Sequence, residues 1–430
     1  MEELYFDKEY LFRGEWWLPQ ENSSPYAAGT LALGPQDIQL ELWGKGAKHF
    51  FSYSSNEDGP IFGYSDRGEK ITIVDGYAKS SGDTTHTARP DERFPHAHIV
   101  SNLVIVGEHL RNYEEPQFKK AYAKYRNLEL WLDTRIFSRE SGKDTPRGYE
   151  GKIKFTIPKS LFNLNYQDQG ISLKTHHSLS YTTDFYTSPG IRHTPYIVFE
   201  SEKNISANEF SKIANSFERL LSMFNGGYSP LLNISLEAEE SESAMVQLYA
   251  RFYRDYEKQL SIHDIVFRFP EIKSELEKIV TAWFRLDEIF RIATIQFHRQ
   301  LPKEIYDVTK FLNFLQCVEV LAKKSSREKF DSILKNLVQN LLGENSREFW
   351  ILEEENLRKL IDTRNHYTHL DSRSSEKIFN ERELMQATDQ LMLLTYVILF
   401  NKIGISSARA IDKLKSHQDF GWKMRKEITS

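Results

Sequence analysis

The sequence predicts an α+β, multidomain protein: a β-rich N-terminal part, sandwich or barrel-like, followed by an all-α C-terminal bundle. Three observations carry this. Apolar residues alternate at period two through most of the first 200 positions, the spacing of half-buried strands. From Pro270 onward they recur at helical spacing, with short polar connections between the runs. The 430 residues are 40% hydrophobic, 13% aromatic and 27% charged, enough for two or three globular cores and unlike a disordered or fibrous chain.

Taken in order, Leu31, Leu33, Ile38, Leu40 and Leu42 alternate around the turn-prone Gly34-Pro35-Gln36-Asp37, which predicts an antiparallel hairpin. Further strands are predicted at 61–64, 71–77, 99–106, 128–132, 151–157 and 171–181, separated by Gly, Pro, Asp and Ser clusters, with 196–199 closing the series. Around Ile205 the period changes. Phe210, Ile213, Phe217, Leu220, Leu221 and Phe224 lead to a Gly226-Gly227 stop, a helix near 205–225 packed on the sheets. Two more strand-like runs, 231–236 and 246–252, flank the acidic 237–242, read as an exposed loop. This places the N-terminal domain at 1–265 and the helical domain at 266–430.

In the helical domain, Leu276, Ile279, Val280, Trp283, Leu286, Ile289, Phe290, Ala293 and Phe297 form one long apolar stripe. Four helices are predicted after it, roughly 303–322, 328–342, 346–367 and 378–403. The last holds Leu391–Phe400, apolar nearly all round, which points to the bundle centre or to a second subunit. Ten such residues are too few to span a bilayer.

A single cysteine, Cys317, excludes an internal disulfide. The start lacks a basic segment followed by an apolar one, and no apolar run nears 18 residues, so the expectation is a cytoplasmic protein without a membrane partner. Net charge is −5 and the pI about 6.3, so the molecule as a whole repels nucleic acid and a local basic face must hold it. The tail offers candidate RNA-binding residues: Arg409, Lys413, Lys415, Lys423, Arg425 and Lys426, with Phe420 and Trp422 interleaved.

The stretch richest in chemistry is Arg364-Asn365-His366-Tyr367-Thr368-His369. It combines a permanent cation, an amide and two imidazoles, the groups that acid-base work on a phosphodiester requires. Leu357, Leu360 and Ile361 mark an inward stripe that Arg364 continues. An inward guanidinium needs a carboxylate or a cleft that receives an anion, and Glu319, on the stripe of Val308, Leu312, Leu315 and Ala322, is the candidate partner. A buried Arg364–Glu319 ion pair without catalytic meaning is the competing reading. Five residues separate Arg364 from His369, about 140° in an unbroken helix. One phosphate can meet both if the helix loosens near Tyr367, with Asp371–Ser375 as a break, or if two subunits contribute across a two-fold axis.

The hexapeptide in its helical setting resembles the HEPN superfamily of ribonucleases. A second match comes from Phe12-Arg13-Gly14-Glu15-Trp16-Trp17-Leu18-Pro19, Gly29-Thr30-Leu31, Leu40-Glu41-Leu42-Trp43-Gly44, Ile105–His109 and Leu128–Trp131. Together these pieces resemble the ApeA family of anti-phage HEPN proteins, over almost the whole chain. The resemblance implies a HEPN-like bundle and an abortive-infection endoribonuclease whose N-terminal domain senses infection, through a phage-derived trigger, or positions RNA. It further implies Arg364, Asn365 and His369 as catalytic residues, a homodimer through the HEPN helices, and no metal or other cofactor. His369 then takes the proton of a ribose 2′-OH, Arg364 offsets charge on the phosphorane and Asn365 orients the phosphate or the imidazole, leaving a 2′,3′-cyclic phosphate. His366, Tyr367 and Glu319 are supporting candidates. The alternative is a non-catalytic dimeriser whose N-terminal domain binds a phage protein, a nucleotide or RNA.

Four lesser signals remain. His96 and His98, with His86 upstream, have same-face strand spacing but no completing ligand pattern for a metal. His176 and His177 are expected on opposite faces, one at the surface and one in the core. Cys317 reads as a small core residue. Of Trp16, Trp17, Trp43, Tyr53, Tyr64 and Tyr77, at least half are expected in the core, with Trp16 and Trp17 on opposite faces of one strand.

Overall fold

A computed structural model describes residues 3–19, 26–86, 89–134, 136–145, 148–166, 170–181, 191–238, 245–251, 260–302, 307–323, 329–369 and 377–424. The chain divides into two compact units. The first comprises Met1–Arg126, Ile136–Asn215 and Pro230–Asp255, and the second Asn127–Arg135, Ser216–Ser229 and Tyr256–Ser430.

In the first unit, β1 (Tyr10–Trp17), β2 (Ala27–Leu33), β3 (Ile38–Trp43), β4 (Ile61–Ser65), β5 (Lys70–His86) and β6 (Arg89–Val106) close on themselves. The order is β6-β3-β2-β1-β4-β5, with β5 pairing back onto β6. This is a six-stranded barrel, one of the two arrangements expected, and closure removes the edges an open sheet leaves unpaired. The short α1 (Ser55–Asp58) lies between β3 and β4. Period two fills the barrel: Phe12, Trp16, Leu31, Leu33, Leu40, Leu42, Ile61, Ile71, Ile73, Ala97 and Ile99 are buried. Trp16, fully buried, fits because Gly63 opposes it in register. A Cβ on Gly63 would overlap the indole. Trp17 points outward, as two successive strand residues must.

β6 is longer than the barrel needs, and its far end takes another neighbour. There β14 (Val246–Ala250) pairs at Leu103–Val106 and begins an open extension, β14-β13-β7-β12-β11-β10. Its other strands are β7 (Phe118–Tyr125), β10 (Asn163–Tyr166), β11 (Ile171–Tyr181), β12 (Ile191–Ile205) and β13 (Leu231–Ala238), while β8 (Phe137–Thr145) and β9 (Gly148–Phe155) form a separate hairpin. Glu237, expected in an exposed loop, instead belongs to β13 and pairs with Lys120 at 2.8 Å. Residues 239–242 of that stretch lie outside the described ones. His176 is exposed and His177 buried, as alternation requires.

The 128–132 run is a helix, α2 (Leu128–Leu132), and not a strand. Asn127 in the left-handed region, φ 64°, ends the strand direction. The Leu-Glu-Leu-Trp-Leu segment of good helix formers then lets Trp131 stack on Phe224 and meet Phe269 edge-on. The long α3 (Ala207–Phe224) stops where expected. Gly226 adopts φ +66°, and the amides of Gly226 and Gly227 bond back to Met223 and Ser222.

The remaining helices of the second unit are α4 (Phe269–Ile272), α5 (Leu276–Phe284), α6 (Glu288–Gln300), α7 (Val308–Ala322), α8 (Phe330–Leu337), α9 (Glu354–His369), α10 (Glu381–Lys402), α11 (Ser407–Ser416) and α12 (Gln418–Met424). The predicted single stripe from Leu276 to Phe297 is two helices. Asp287 accepts from the Phe290 amide at 2.9 Å and starts a new one, and Ile289 is 61% exposed. The central helix is α10, with every residue from Ala387 to Phe400 buried within the one chain. Tyr396 meets Phe297 edge-on at 4.9 Å and lies 5.3 Å from Phe420. The apolar girdle of α10 therefore belongs to the bundle centre, one of the two placements expected. Cys317 is buried in this core and burial pushes its thiol up to about 12.

Candidate active site

The site is built on α9 and α7. Short 3₁₀ turns at Gly343–Glu348 and Trp350–Leu352 precede α9, so the helix starts at Glu354 and not near Ser346. Glu354 and Glu355 occupy its first turn, where the helix dipole favours anions. Leu360 is fully buried, and Thr363 beside Arg364 is buried too. The Thr363 hydroxyl donates to the Lys359 carbonyl at 2.7 Å and accepts the Phe379 amide at 2.9 Å. Lys359 binds Glu383 of α10 at 2.7 Å. These bonds fix the rotation of α9 and hence the direction of Arg364.

Arg364 donates to Glu319 of α7 at 3.1 Å and to Asn365 Oδ1 at 3.3 Å. Its guanidinium lies over the Phe330 ring, 5.1 Å from the centroid. The pair predicted between Arg364 and Glu319 is thus present, yet it is not sealed: the side chains are 25% and 21% exposed. Both line an open cavity of about 480 Å³ between α7 and α9. Glu319 is not on the core face of α7, which is made by Phe311, Phe314, Leu315, Val318 and Leu321. It stands on the adjoining rim with Thr309, Leu312, Asn313 and Gln316, at steps of three and four residues. Thr309, Asn313, Gln316 and Thr368 were not singled out from the sequence, although that spacing marks them as one polar-edged stripe.

His369 is the last residue of α9 and is exposed. The helix runs without interruption through Tyr367, so loosening there, one of the two arrangements weighed, does not occur. Within one chain Arg364 and His369 project about 140° apart. The proposed break at Asp371–Ser375 lies outside the described residues. His366 and Tyr367 are half-buried and meet edge-on at 4.9 Å.

The tail cations are held by neighbouring carboxylates. Arg409 pairs with Glu275 at 2.9 Å and donates to the Glu271 carbonyl at 2.7 Å; Lys413 reaches Glu271 at 2.5 Å, Lys415 reaches Glu348 at 2.9 Å and Lys423 reaches Asp389 at 3.1 Å. Arg425 and Lys426 lie outside the described residues. Of the aromatics, Trp16 and Tyr53 are core, while Trp43, Tyr64 and Tyr77 are exposed and Trp17 half-buried, so fewer than half are core. The alternate residues of short strands face a solvated barrel exterior. Among the described residues no three His, Cys, Asp or Glu side chains cluster so as to hold a metal, and no helix is long and apolar enough to cross a membrane. The side chain of His86 lies outside the described ones.

Residues 283–409, which include the helix carrying Arg364, Asn365 and His369, match the Apea-like HEPN family. Residues 11–283, more than half of the chain, match ApeA N-terminal domain 1. The chain belongs to the ApeA-like family of HEPN proteins, whose setting is anti-phage defence. No curated protein and no solved structure matches it.

Proposed function

We propose that the protein is a metal-independent endoribonuclease of abortive infection, acting in the cytoplasm as a homodimer, with Arg364, Asn365 and His369 as its catalytic residues. The observation that carries the reading is the open placement of Arg364. Although tied to Glu319, this guanidinium borders a cavity large enough for a nucleotide, which supports a role beyond a structural tie. The imidazole of His369 accepts the proton of a ribose 2′-OH, whose oxygen attacks the adjacent phosphorus while the 5′-oxygen leaves and takes up a proton. Arg364 offsets the charge on the phosphorane, and Glu319 and Asn365 orient its fork. The unbroken run of α9 supports a shared site, in which the His369 that serves one Arg364 comes from a second protomer. The N-terminal domain senses a phage-derived trigger or positions RNA.

The test is phage challenge of cells carrying wild-type, Arg364→Ala or His369→Ala protein, followed by mapping of RNA ends. Protection and new 2′,3′-cyclic phosphate ends that vanish in both variants support the proposal. Protection that survives in either folded variant refutes it and favours a non-catalytic dimeriser.

A further inference from the structure

The outer wall of the barrel carries a second pocket, in the first unit, that the ribonuclease reading leaves unused. Strand register builds it. Trp43 of β3 lies opposite His96 of β6, which lies opposite Gly82 of β5; the next outward row is Glu41, His98 and Ser80. Outward alternation puts these side chains on one face, and the glycine leaves that corner of the pocket open, since a Cβ there would touch nothing within 4 Å. The result is a cavity of about 340 Å³ lined by Trp43, Glu41, His96, His98 and Ser80. It falls in the size range of small-ligand sites, about 300–1,000 Å³.

The chemistry of the lining is selective. Trp43 is 45% exposed, a large indole at a solvent-facing position where packing does not require it. Such a wall suits a flat ring, since base–aromatic stacking needs only a π-face. His98 is fixed by its 2.9 Å bond to Gln39, while the Nδ1 of His96 is buried and has no hydrogen-bond partner. A buried polar atom left unmatched is costly, and a bound ligand is one way to supply its partner. The carboxylate of Glu41 is acceptor-only when ionised. Among the four RNA bases, guanine alone presents two adjacent N–H donors, N1–H and N2–H₂, to one carboxylate. Adenine and cytosine set an acceptor beside the amino group, and uracil flanks its one N–H with carbonyls. We infer that this pocket binds a guanine base, carried by a free nucleotide or by an unpaired position in RNA.

The experiment uses the full chain carrying His369→Ala, so that RNA is not consumed, with GMP, AMP, CMP, UMP and the pentamer AAGAA titrated against tryptophan fluorescence. The expected result is saturable quenching by GMP, with the other three mononucleotides at least about tenfold weaker. Trp43→Ala and Glu41→Gln should each weaken GMP about tenfold or more without changing the thermal melt. Should Trp43→Ala lower the melt, Glu41→Gln alone decides the matter. A pentamer that binds more tightly than GMP assigns the site to RNA, and the reverse assigns it to a free nucleotide. The inference is overturned by no saturation with GMP or pentamer up to about 5 mM, by equal binding of all four mononucleotides, by unchanged binding in Glu41→Gln, or by tetramethylammonium competing as well as GMP. Because the readout is binding, its failure leaves the ribonuclease proposal standing, and the converse also holds.

Discussion

Removing either partner of the Arg364–Glu319 pair separates a catalytic arginine from a structural one. At 3.1 Å and an effective dielectric of about 20, the gross attraction is about 5 kcal/mol. Desolvating both groups and holding two long side chains in one geometry offset most of it. Because the pair borders an open cavity and both side chains keep over a fifth of their exposure, water can reach whichever group is left. Arg364→Ala should therefore cost about 1 kcal/mol, not the 3–5 kcal/mol of a sealed pair. That is a fall in melting temperature of about 2–4 °C for a domain of this size. The same substitution should lower RNA cleavage by about a hundredfold or more, the typical cost of removing one charge-stabilising donor. Glu319→Gln keeps a neutral hydrogen bond to the guanidinium and should fall between wild type and Arg364→Ala in activity, with a melt within about 1 kcal/mol of wild type. Differential scanning fluorimetry alongside single-turnover cleavage of a fluorescent RNA reads both quantities. A melting drop of more than about 10 °C in Arg364→Ala, or undiminished cleavage, refutes the reasoning.

Three other outcomes are expected. If each active site joins Arg364 of one protomer to His369 of its partner, co-refolding Arg364→Ala with His369→Ala should restore about a quarter of the wild-type activity, since half the dimers are mixed and each carries one intact site; no recovery places both residues in one protomer. Gly63→Ala should destabilise the first unit by about 1–3 kcal/mol through overlap with Trp16, read by denaturant midpoint, and a neutral result contradicts the packing. Burial and the neighbouring His193 push His177 down to about 4, and burial lowers His193 as well. Below about pH 6.5 the unfolded chain binds protons that these two folded residues refuse, so stability is lost as pH falls from about 6.5 toward 4 and is fully present above that window. A His177→Gln melt should show a shallower acid slope than wild type between pH 7 and pH 5; equal slopes remove the His pair as the cause.

The architecture was legible in the sequence where one periodicity governs a whole element. The 31–42 hairpin, the Gly226 stop and the α10 girdle are set by alternation, by a required positive φ and by uniform apolarity, which are local signals. The failures have equally local causes. Leu128–Leu132 carries residues that suit either state, and what decides is the left-handed turn at Asn127 together with the packing of Trp131. The stripe through Ile289 extends a real period across a break that a single capping aspartate, Asp287, imposes. Closure of the barrel was not legible, because it depends on β5 and β6 being long enough to pair along the whole of one edge while β6 offers its other edge to β3. At the candidate site the Arg364–Glu319 partnership followed from helical spacing. The cavity beside it did not, since a groove is a property of two helices and the sequence gives the stripe of each separately.

The paired tail bears on how such a site holds RNA. With a net charge of −5 and Arg409, Lys413, Lys415 and Lys423 each matched to a carboxylate, those cations offer little unspent field to a polyanion approaching from solution. A site that neutralises only a few phosphates has a shallow dependence on salt and a weak intrinsic grip. Two devices compensate for this in proteins generally: stacking of unpaired bases, which needs no charge, and duplication of a weak site by symmetry. The Trp43 pocket would offer the first if RNA is what enters it, and the proposed dimer would offer the second. If the protein cleaves RNA as proposed, selection by exposed bases and the 2′-hydroxyl more than by backbone charge is expected, with structured or ribosome-covered RNA a poor substrate and unpaired segments a good one.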